Sequence, residues 1–327
     1  MNPAVAVVGT HVSYLDDPDR NLEEVLFEAS NATLAAAGIT MDDVDAIVVS
    51  CTDQVDGRVI EGMVAAGPTG GVGRDLTITP SASEHAFVLG YLRLLAGLGS
   101  TGLGSTVLTM SWSKPSEGVD PRHAELVMAE PFLLRPLGMN LAIAAGLQAS
   151  AYQAAHGGVA GPDAPAAGVV AWPLTRADLP GSADVVAGAV LTTEPGDRPA
   201  TWIRGAGWAS DRYELGERDL TRLAALGTAA DTAYRAAGIT DPAAAVDHAE
   251  VQRLSRVGLL AAYRELGLPP PDPEPEPLPE GVPAAGFVRL ARAAAHGIAH
   301  PGTTTVGAAL HGFAGQGAAV VVFGGRP

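Results

Sequence analysis

The sequence has one cysteine, few basic residues and no long apolar run, and each shortage excludes a class of protein. The single cysteine, Cys51, rules out an internal disulfide and fits a reducing compartment, and no Cys/His cluster has zinc-ligand spacing. Only 20 Lys and Arg stand against 36 Asp and Glu, and the net charge of −16 argues against binding to nucleic acid. No apolar run reaches the roughly 18 residues of a membrane helix. We therefore predict a cytoplasmic protein with no metal site, membrane segment or nucleic-acid partner.

Apolar residues make up 47% of the 327 residues, which is enough for a large buried core. The run Ala4–Gly9 has the continuous hydrophobicity of a strand that is buried on both faces. Residues 21–37 place apolar side chains at helical spacing and stop at Gly38, and residues 44–50 form a second apolar run. The order strand, helix, strand predicts an α/β fold.

A short internal repeat indicates two similar halves. The pentapeptide Ala36–Thr40 recurs as Ala236–Thr240, each time after an amphipathic helix and before a predicted strand. We predict two similar α/β halves that are related by a pseudo-dyad and stacked in α-β-α-β-α layers. The first half covers residues 1–198 and the shortened second half covers residues 199–327.

Proline marks two irregular segments. Several prolines lie between about 111 and 140, which predicts a loop excursion of the first half with little regular structure. The acidic Pro-rich segment 269–279 in the second half favours an extended conformation without a packed core. Before it, residues 252–266 predict a helix, and residues 185–193 predict the last strand of the first half.

The stretch Thr79–Ala86 is a candidate catalytic segment. Small and capping residues precede an apolar run to Leu98, which predicts a buried helix with Ser81 near its N-terminus. Backbone N–H groups favour a developing negative charge there, so Ser81 is a candidate nucleophile. Ser81 and His85 are four residues apart and share a helix face, which allows an activated Ser/His pair; in the simpler interpretation Ser81 caps the helix and His85 packs.

Four stretches carry a resemblance that extends over nearly the whole chain. They are Val5–Thr10, Ser81–Glu84, Ala183–Ala189 and the glycine-rich Leu310–Ala318. In this order and spacing they resemble the thiolase superfamily, most closely the sterol carrier protein x type thiolases and their actinobacterial lipid-transfer/thiolase-like relatives.

This resemblance implies the thiolase fold and a coenzyme A thioester as substrate or ligand, with no bound cofactor. It also implies a partner with the thiolase fold, in a homo- or heterodimer or tetramer, and a small OB-fold, zinc-binding partner protein. Ser81 stands at the position of the family's nucleophilic cysteine. His311 stands where the sterol carrier type has a histidine facing the active cavity, so His311 is a candidate acid/base and His85 a weaker one.

The chain departs from the family at three positions of the implied site. Ser81 is a far weaker nucleophile than a cysteine thiolate. Val282 replaces the histidine of the family's Gly-His-Pro loop and cannot accept a proton, and Gln252 falls near another histidine position.

Three interpretations follow from these departures. Loss at all three positions predicts a non-catalytic subunit of a heteromeric complex that processes acyl-CoA or acyl-carrier thioesters, paired with an active thiolase, acyltransferase or aldolase paralogue. The alternative is an active enzyme that uses His311 for aldol or retro-aldol cleavage, acyl transfer or condensation on a CoA thioester. The third is a module that binds acyl-CoA without turnover.

Overall fold

The computed structural model describes residues 3–57, 60–79, 82–97, 105–118, 121–157, 168–272 and 278–327. Across these ranges, no helix combines the length and the apolar character needed to cross a bilayer.

Strands and helices alternate along the described chain, as the hydrophobic pattern predicts. Up to residue 192 the elements are β1 (Ala6–Tyr14), α1 (Leu22–Ala37), β2 (Ala46–Ser50), α2 (Asp53–Asp56), α3 (Glu61–Ala65), β3 (Asp75–Thr79), α4 (Glu84–Leu95), β4 (Thr106–Ser113), α5 (Pro121–Met128), α6 (Leu141–His156), β5 (Val169–Ala171), β6 (Leu174–Thr175) and β7 (Val185–Thr192). The remaining elements are β8 (Thr201–Ser210), α7 (Ala224–Ala237), α8 (Pro242–Ala245), β9 (His248–Val251), α9 (Arg256–Glu265), α10 (Ala285–Ala299), β10 (Thr305–His311) and β11 (Gly317–Gly324).

The repeated pentapeptide is the same helix C-terminus used twice. Gly38, with φ 65°, caps the C-terminus of α1, and Gly238, with φ 72°, caps that of α7. Each glycine adopts the left-handed conformation, and its N–H bonds the last free carbonyls of its helix. Because a side chain is strained at such a φ, glycine is the residue suited to both positions of the repeat.

Nine strands form one mixed sheet in the order β3-β2-β4-β7-β1-β8-β11-β10-β9. Strands β1 and β8 meet in a short antiparallel contact, in which Ala6 pairs with Trp202. Outward from this contact, β7, β4 and β2 follow β1 in the same pattern of antiparallel and parallel pairing in which β11, β10 and β9 follow β8. The pairing pattern therefore has the symmetry that the repeat indicates.

Three apolar clusters separate the layers of the molecule. Alternate residues of β1 illustrate this, since Val8 packs in the cluster with α1 while Val7 packs in the cluster with α4 and α10. The cluster around α4 and α10 draws side chains from both parts of the sheet, including Phe87, Phe287 and Phe323 in edge contacts at ring-centre distances of 6.0 Å. A third cluster lies under α7 and α9. These interfaces give the predicted α-β-α-β-α layering, with α4 and α10 in the middle layer.

The half of the sheet that runs from β8 through β11 and β10 to β9 has no described counterpart of β3. Strand β9 is the edge strand there, and a cavity of about 560 Å³ lies beside it. Its walls include Tyr263, Arg289 and Arg292, together with Pro269 and Pro271 of the proline segment.

Strand β8 corrects the sequence analysis, which placed no strand between residues 193 and 220. Its residues alternate between buried and partly exposed from Thr201 to Gly207, so period-two alternation was the available signal. Gly205 and Gly207 obscure that signal, yet the packing requires them. A Cβ at either glycine would lie 2.1 Å from a backbone oxygen of α7.

Three element boundaries also differ from the prediction. The helix expected over 252–266 begins only at Arg256, because Ser255 caps it by accepting a hydrogen bond from Gly258 N. Helix α4 begins at Glu84 and ends at Leu95, short of the predicted Leu98. The 111–140 excursion is more regular than expected, since β4 continues to Ser113 and α5 follows within it.

Candidate active site

Two histidines and one carboxylate meet where α4 begins and β10 ends. Glu84 and His85 lie in the first turn of α4, and His311 is the last residue of β10, 227 positions from Glu84. The distance between His311 Nδ1 and Glu84 Oε1 is 2.5 Å, a short hydrogen bond. The ring of His85 meets that of His311 edge-on, with ring centres 5.2 Å apart.

Burial differs sharply within this Glu84–His311 pair. The side chain of Glu84 is 1% exposed, and that of His311 is 29% exposed. A buried carboxylate that holds a more accessible imidazole is the arrangement that orients a histidine for proton transfer.

Burial and charge act on the three side chains in opposite directions. Burial lowers the pKa of His311, but the hydrogen bond and charge of Glu84 outweigh it and raise that pKa above its ordinary value. Burial raises the pKa of Glu84, but the hydrogen bond and charge of His311 bring it below its ordinary value. The pKa of His85 is lowered, chiefly by burial. Both members of the Glu84–His311 pair are thus stabilised in their charged forms.

Two glycines leave the space that the pair occupies. A Cβ at Gly286 of α10 would lie 2.6 Å from Glu84 Oε2, and a Cβ at Gly317 would lie 2.0 Å from His311 Nε2. Ser83 Oγ accepts a hydrogen bond from Phe287 N at 2.9 Å, which joins the N-terminal turns of α4 and α10. Two helix N-termini therefore face the Glu84 carboxylate, and both favour its negative charge.

The structure brings together two of the three predicted site residues. His85 and His311 are in contact, and the partner that connects them to the helix start is Glu84, which the sequence analysis did not single out. Ser81 lies outside the described residues, so its role as nucleophile or cap stays a prediction. An acidic residue beside a histidine at a buried helix start was the available signal for Glu84.

Gln252 and Val282 occupy supporting positions. Gln252 Oε1 accepts a hydrogen bond from Leu310 N at 2.8 Å, so the amide holds the residue before His311. Val282 is buried in the apolar cluster of the middle layer.

The only cysteine is poorly suited to nucleophilic attack. Cys51 is buried directly after β2, and burial together with nearby Glu61, Asp53 and Asp56 raises the pKa of its thiol to about 12. The thiol is therefore protonated at neutral pH.

Among the residues that the structure describes, two groups of side chains have donor atoms close enough to hold a metal ion, within 4.8 Å of one another. One is Glu84, His85 and His311, and the other is Cys51, Asp53 and Glu61. In the second group the Asp53 carboxylate already accepts hydrogen bonds from the backbone N–H groups of Ile60 and Glu61.

Asp56 gives this region a pH-dependent stability. Burial, with the charge and hydrogen bond of Glu61, raises the pKa of Asp56 to about 9. Between about pH 4 and pH 9 the folded chain keeps a proton that the unfolded chain has lost, so stability falls as the pH rises. Asp56→Asn cannot ionise and retains an N–H donor towards Glu61.

We expect Asp56→Asn to be more stable than the wild type at pH 8 by at least about 1 kcal/mol, with a smaller difference at pH 5. Urea unfolding at both pH values measures this, with the exposed Asp231→Asn as matched control. Equal pH slopes for Asp56→Asn and the wild type would contradict the assignment.

The similarity of this chain to solved structures establishes its fold. No protein-family model matches the sequence, and no curated sequence is similar enough to count as a relative. A monomeric SCP2-thiolase like protein type 1 from Mycobacterium smegmatis matches with a TM-score of 0.72 and 16% identity, over 98% of this chain and 77% of its own. Human mitochondrial 3-ketoacyl-CoA thiolase matches with a TM-score of 0.72 and 14% identity, over 98% of this chain and 99% of its own. The chain has the thiolase fold.

A third thiolase-fold structure, the Ltp2-ChsH2(DUF35) aldolase, matches with a TM-score of 0.71 and 18% identity, over 99% of this chain and 98% of its own. The fold implied by the four sequence stretches is confirmed. At these identities the similarity establishes the fold alone, so the activity of this thiolase-fold chain has to be argued from its own residues.

Proposed function

We propose that this chain is an enzyme that makes or breaks a carbon–carbon bond next to a CoA thioester by proton transfer, in the manner of an aldol or retro-aldol lyase. The observation that carries the proposal is the 2.5 Å hydrogen bond between buried Glu84 and the more accessible His311. A carboxylate on Nδ1 fixes the imidazole and leaves Nε2 as the atom that exchanges a proton.

Proton transfer suits the available groups better than thiolysis does. Thiolysis by the family's route needs a thiolate, and Cys51 is a buried thiol with a pKa of about 12. Aldol chemistry needs an acid/base and no thiolate. One of the solved thiolase-fold structures is described as an aldolase, which supports this choice by analogy.

In the cleavage direction, His311 Nε2 accepts the proton of a β-hydroxyl group while the Cα–Cβ bond of a β-hydroxyacyl thioester breaks. The products of this step are an aldehyde or ketone and the thioester enolate, whose negative charge the imidazolium N–H can stabilise. The same N–H then returns the proton to Cα and gives the acyl-CoA. The cycle is balanced without an external oxidant or metal.

The non-catalytic subunit inferred from the sequence stays a prediction, and the Glu84–His311 pair favours the active alternative over it. A buried carboxylate carries a desolvation cost of several kcal/mol unless it is paired. Replacement of a whole buried ion pair by apolar side chains is often neutral for stability, so catalysis explains the pair, and the space that Gly286 and Gly317 leave for it, better than stability does.

The test is an assay of the purified chain alone on a panel of β-hydroxyacyl-CoA esters, with mass spectrometry of the released acyl-CoA. We expect cleavage of at least one ester. Failure on a panel that a thiolase-fold aldolase cleaves under the same conditions would favour the non-catalytic subunit.

A second thiolase-fold chain is the proposed partner, docked on the edge of the sheet at β3. Among the described strands none pairs with the free edge of β3, and exposed apolar side chains lie near this edge on α3 and the following turn, with Met63 68% and Val72 77% exposed. Helix α3 packs on β3, since a Cβ at Gly62 would lie 2.5 Å from the side chain of Ile78.

A small OB-fold, zinc-binding protein, which the sequence resemblance implies, is the other proposed partner. The DUF35 component named in the aldolase structure supports an accessory protein by analogy. Native mass spectrometry of the chain co-expressed with a paralogue and such a protein tests both partners. We expect a complex containing a second thiolase-fold chain, and Met63→Asp/Val72→Asp should dissociate it. A chain that stays monomeric would contradict the proposed interface.

A further inference from the structure

We propose that Glu84, His85 and His311 bind one Zn²⁺ ion, which blocks the acid/base pair. The proposal rests on the proposed function, because it names a ligand and a form of regulation for the same site. It departs from the expectation of no metal site, because the order of residues along the chain gives no sign of this group: His311 is 227 positions from Glu84.

The donor set is one that zinc prefers. One carboxylate and two imidazoles form a three-ligand set typical of zinc sites that keep an open coordination position. Mg²⁺ and Ca²⁺ prefer sites made of oxygen ligands, whereas two imidazoles favour Zn²⁺ over either ion.

Zinc binding needs shifts of up to about 1.5 Å between the donor atoms of the three side chains. The donor atoms of the three side chains lie within 4.8 Å of one another. Ligand atoms on a tetrahedral zinc ion lie about 3.3 Å apart, so the 2.5 Å between Glu84 Oε1 and His311 Nδ1 must open by about 1 Å. Rotation of the imidazole towards its accessible side can supply this, because His311 is 29% exposed whereas Glu84 is 1% exposed.

The surrounding contacts fix the position of the Glu84 carboxylate. Glu84 is fixed between the N-terminal turns of α4 and α10, where Gly286 leaves room for Oε2 and Ser83 bonds Phe287 N. Hydrogen bonding of Gln252 to Leu310 N holds the end of β10. Such supporting contacts reduce the reorganisation that metal binding requires.

Zinc binding and proton transfer exclude each other at this site. The ion takes donor atoms of Glu84 and His311, and the proton held between them leaves to solvent. A coordinated His311 no longer forms the hydrogen-bonded pair with Glu84, so we expect zinc to inhibit the proposed reaction and a chelator to restore it.

A second group of histidines provides the necessary control. His248, His296 and His300 stack in sequence, with ring-centre distances of 3.9 Å and 4.2 Å. Clustered histidines can take up zinc, so His300→Ala, at the exposed end of this stack, is the matched variant for His85→Ala and His311→Ala.

Isothermal titration of the full-length, chelator-treated chain with ZnCl₂, together with the visible absorption spectrum of its Co²⁺ form, tests the site directly. We expect one ion per chain, a tetrahedral Co²⁺ spectrum, and a loss of affinity of about 100-fold or more in His85→Ala and in His311→Ala. His300→Ala should bind like the wild type.

Absence of binding, binding retained in His85→Ala and His311→Ala, or binding lost in His300→Ala would overturn the zinc site; the last two would mean an adventitious ion only. Failure of the proposed function is distinguishable from these outcomes. A chain that binds zinc at these residues but cleaves no ester keeps the site and loses the function. A chain that cleaves an ester and binds no zinc keeps the proposed function and loses the zinc site.

Discussion

Replacing His311 by alanine is expected to lower the rate of carbon–carbon cleavage by about 100-fold to 10,000-fold. The imidazole is the group that moves the proton in the proposed reaction. Among the described side chains, His311 is the one recorded with a side-chain hydrogen bond to Glu84. The measurement is kcat and KM on the ester that the wild type cleaves best. Since substrate binding does not depend on the proton transfer, the loss should fall mainly on kcat.

Two further variants sharpen this experiment. Glu84→Gln retains a similar shape but removes the charge that orients His311, so it should lower kcat with little change in KM, as expected of a positioning residue. His300→Ala, on the surface and away from the pair, should have wild-type rates. An unchanged kcat in His311→Ala would remove His311 from the mechanism and restore the non-catalytic interpretation.

The largest expected effect on stability is also at His311. His311→Ala leaves the buried Glu84 carboxylate without its cation, which we expect to lower the free energy of unfolding by up to about 3 kcal/mol. Glu84→Gln alone should cost about 1 kcal/mol, because the remaining imidazole is partly exposed and can lose its proton to water.

The double variant tests the coupling between the two side chains. Glu84→Gln/His311→Ala contains no buried charge, so it should be less destabilised than the sum of the single variants, by at least about 1 kcal/mol. Urea unfolding at pH 7 gives the four free energies that the comparison needs. Additivity within about 0.5 kcal/mol would mean that Glu84 and His311 are not energetically coupled across their 2.5 Å contact.

The fold could be predicted from the sequence because local signals repeat along it. Continuous apolar runs marked β1, β2 and β7, and glycines at 38 and 238 ended two helices in the same way. Prediction failed at β8, where glycines that allow α7 to pack closely also weaken the strand pattern. It failed again at the start of α9, where Ser255 rather than the apolar spacing decides the boundary.

The candidate site was only partly predictable. A histidine at 311 followed from the resemblance, and His85 followed from its spacing to Ser81. Glu84 was missed because an acidic residue in a first helical turn is ordinarily explained by the helix dipole alone. Only burial of that carboxylate against α10, and its contact with His311, gives it a chemical role.

The sequence by itself determined the α/β layering, the internal symmetry and the lack of a cysteine at the family's nucleophile position, because hydrophobic period, helix-ending glycines and residue identity can be read along the chain. The tertiary structure decided which titratable groups meet. Stacking α4 against α10 brings the start of one helix beside the end of β10, so that a carboxylate and an imidazole 227 residues apart share one hydrogen bond. The chemistry proposed here depends on that contact, which forms only when the two parts of the sheet close over the same pair of helices.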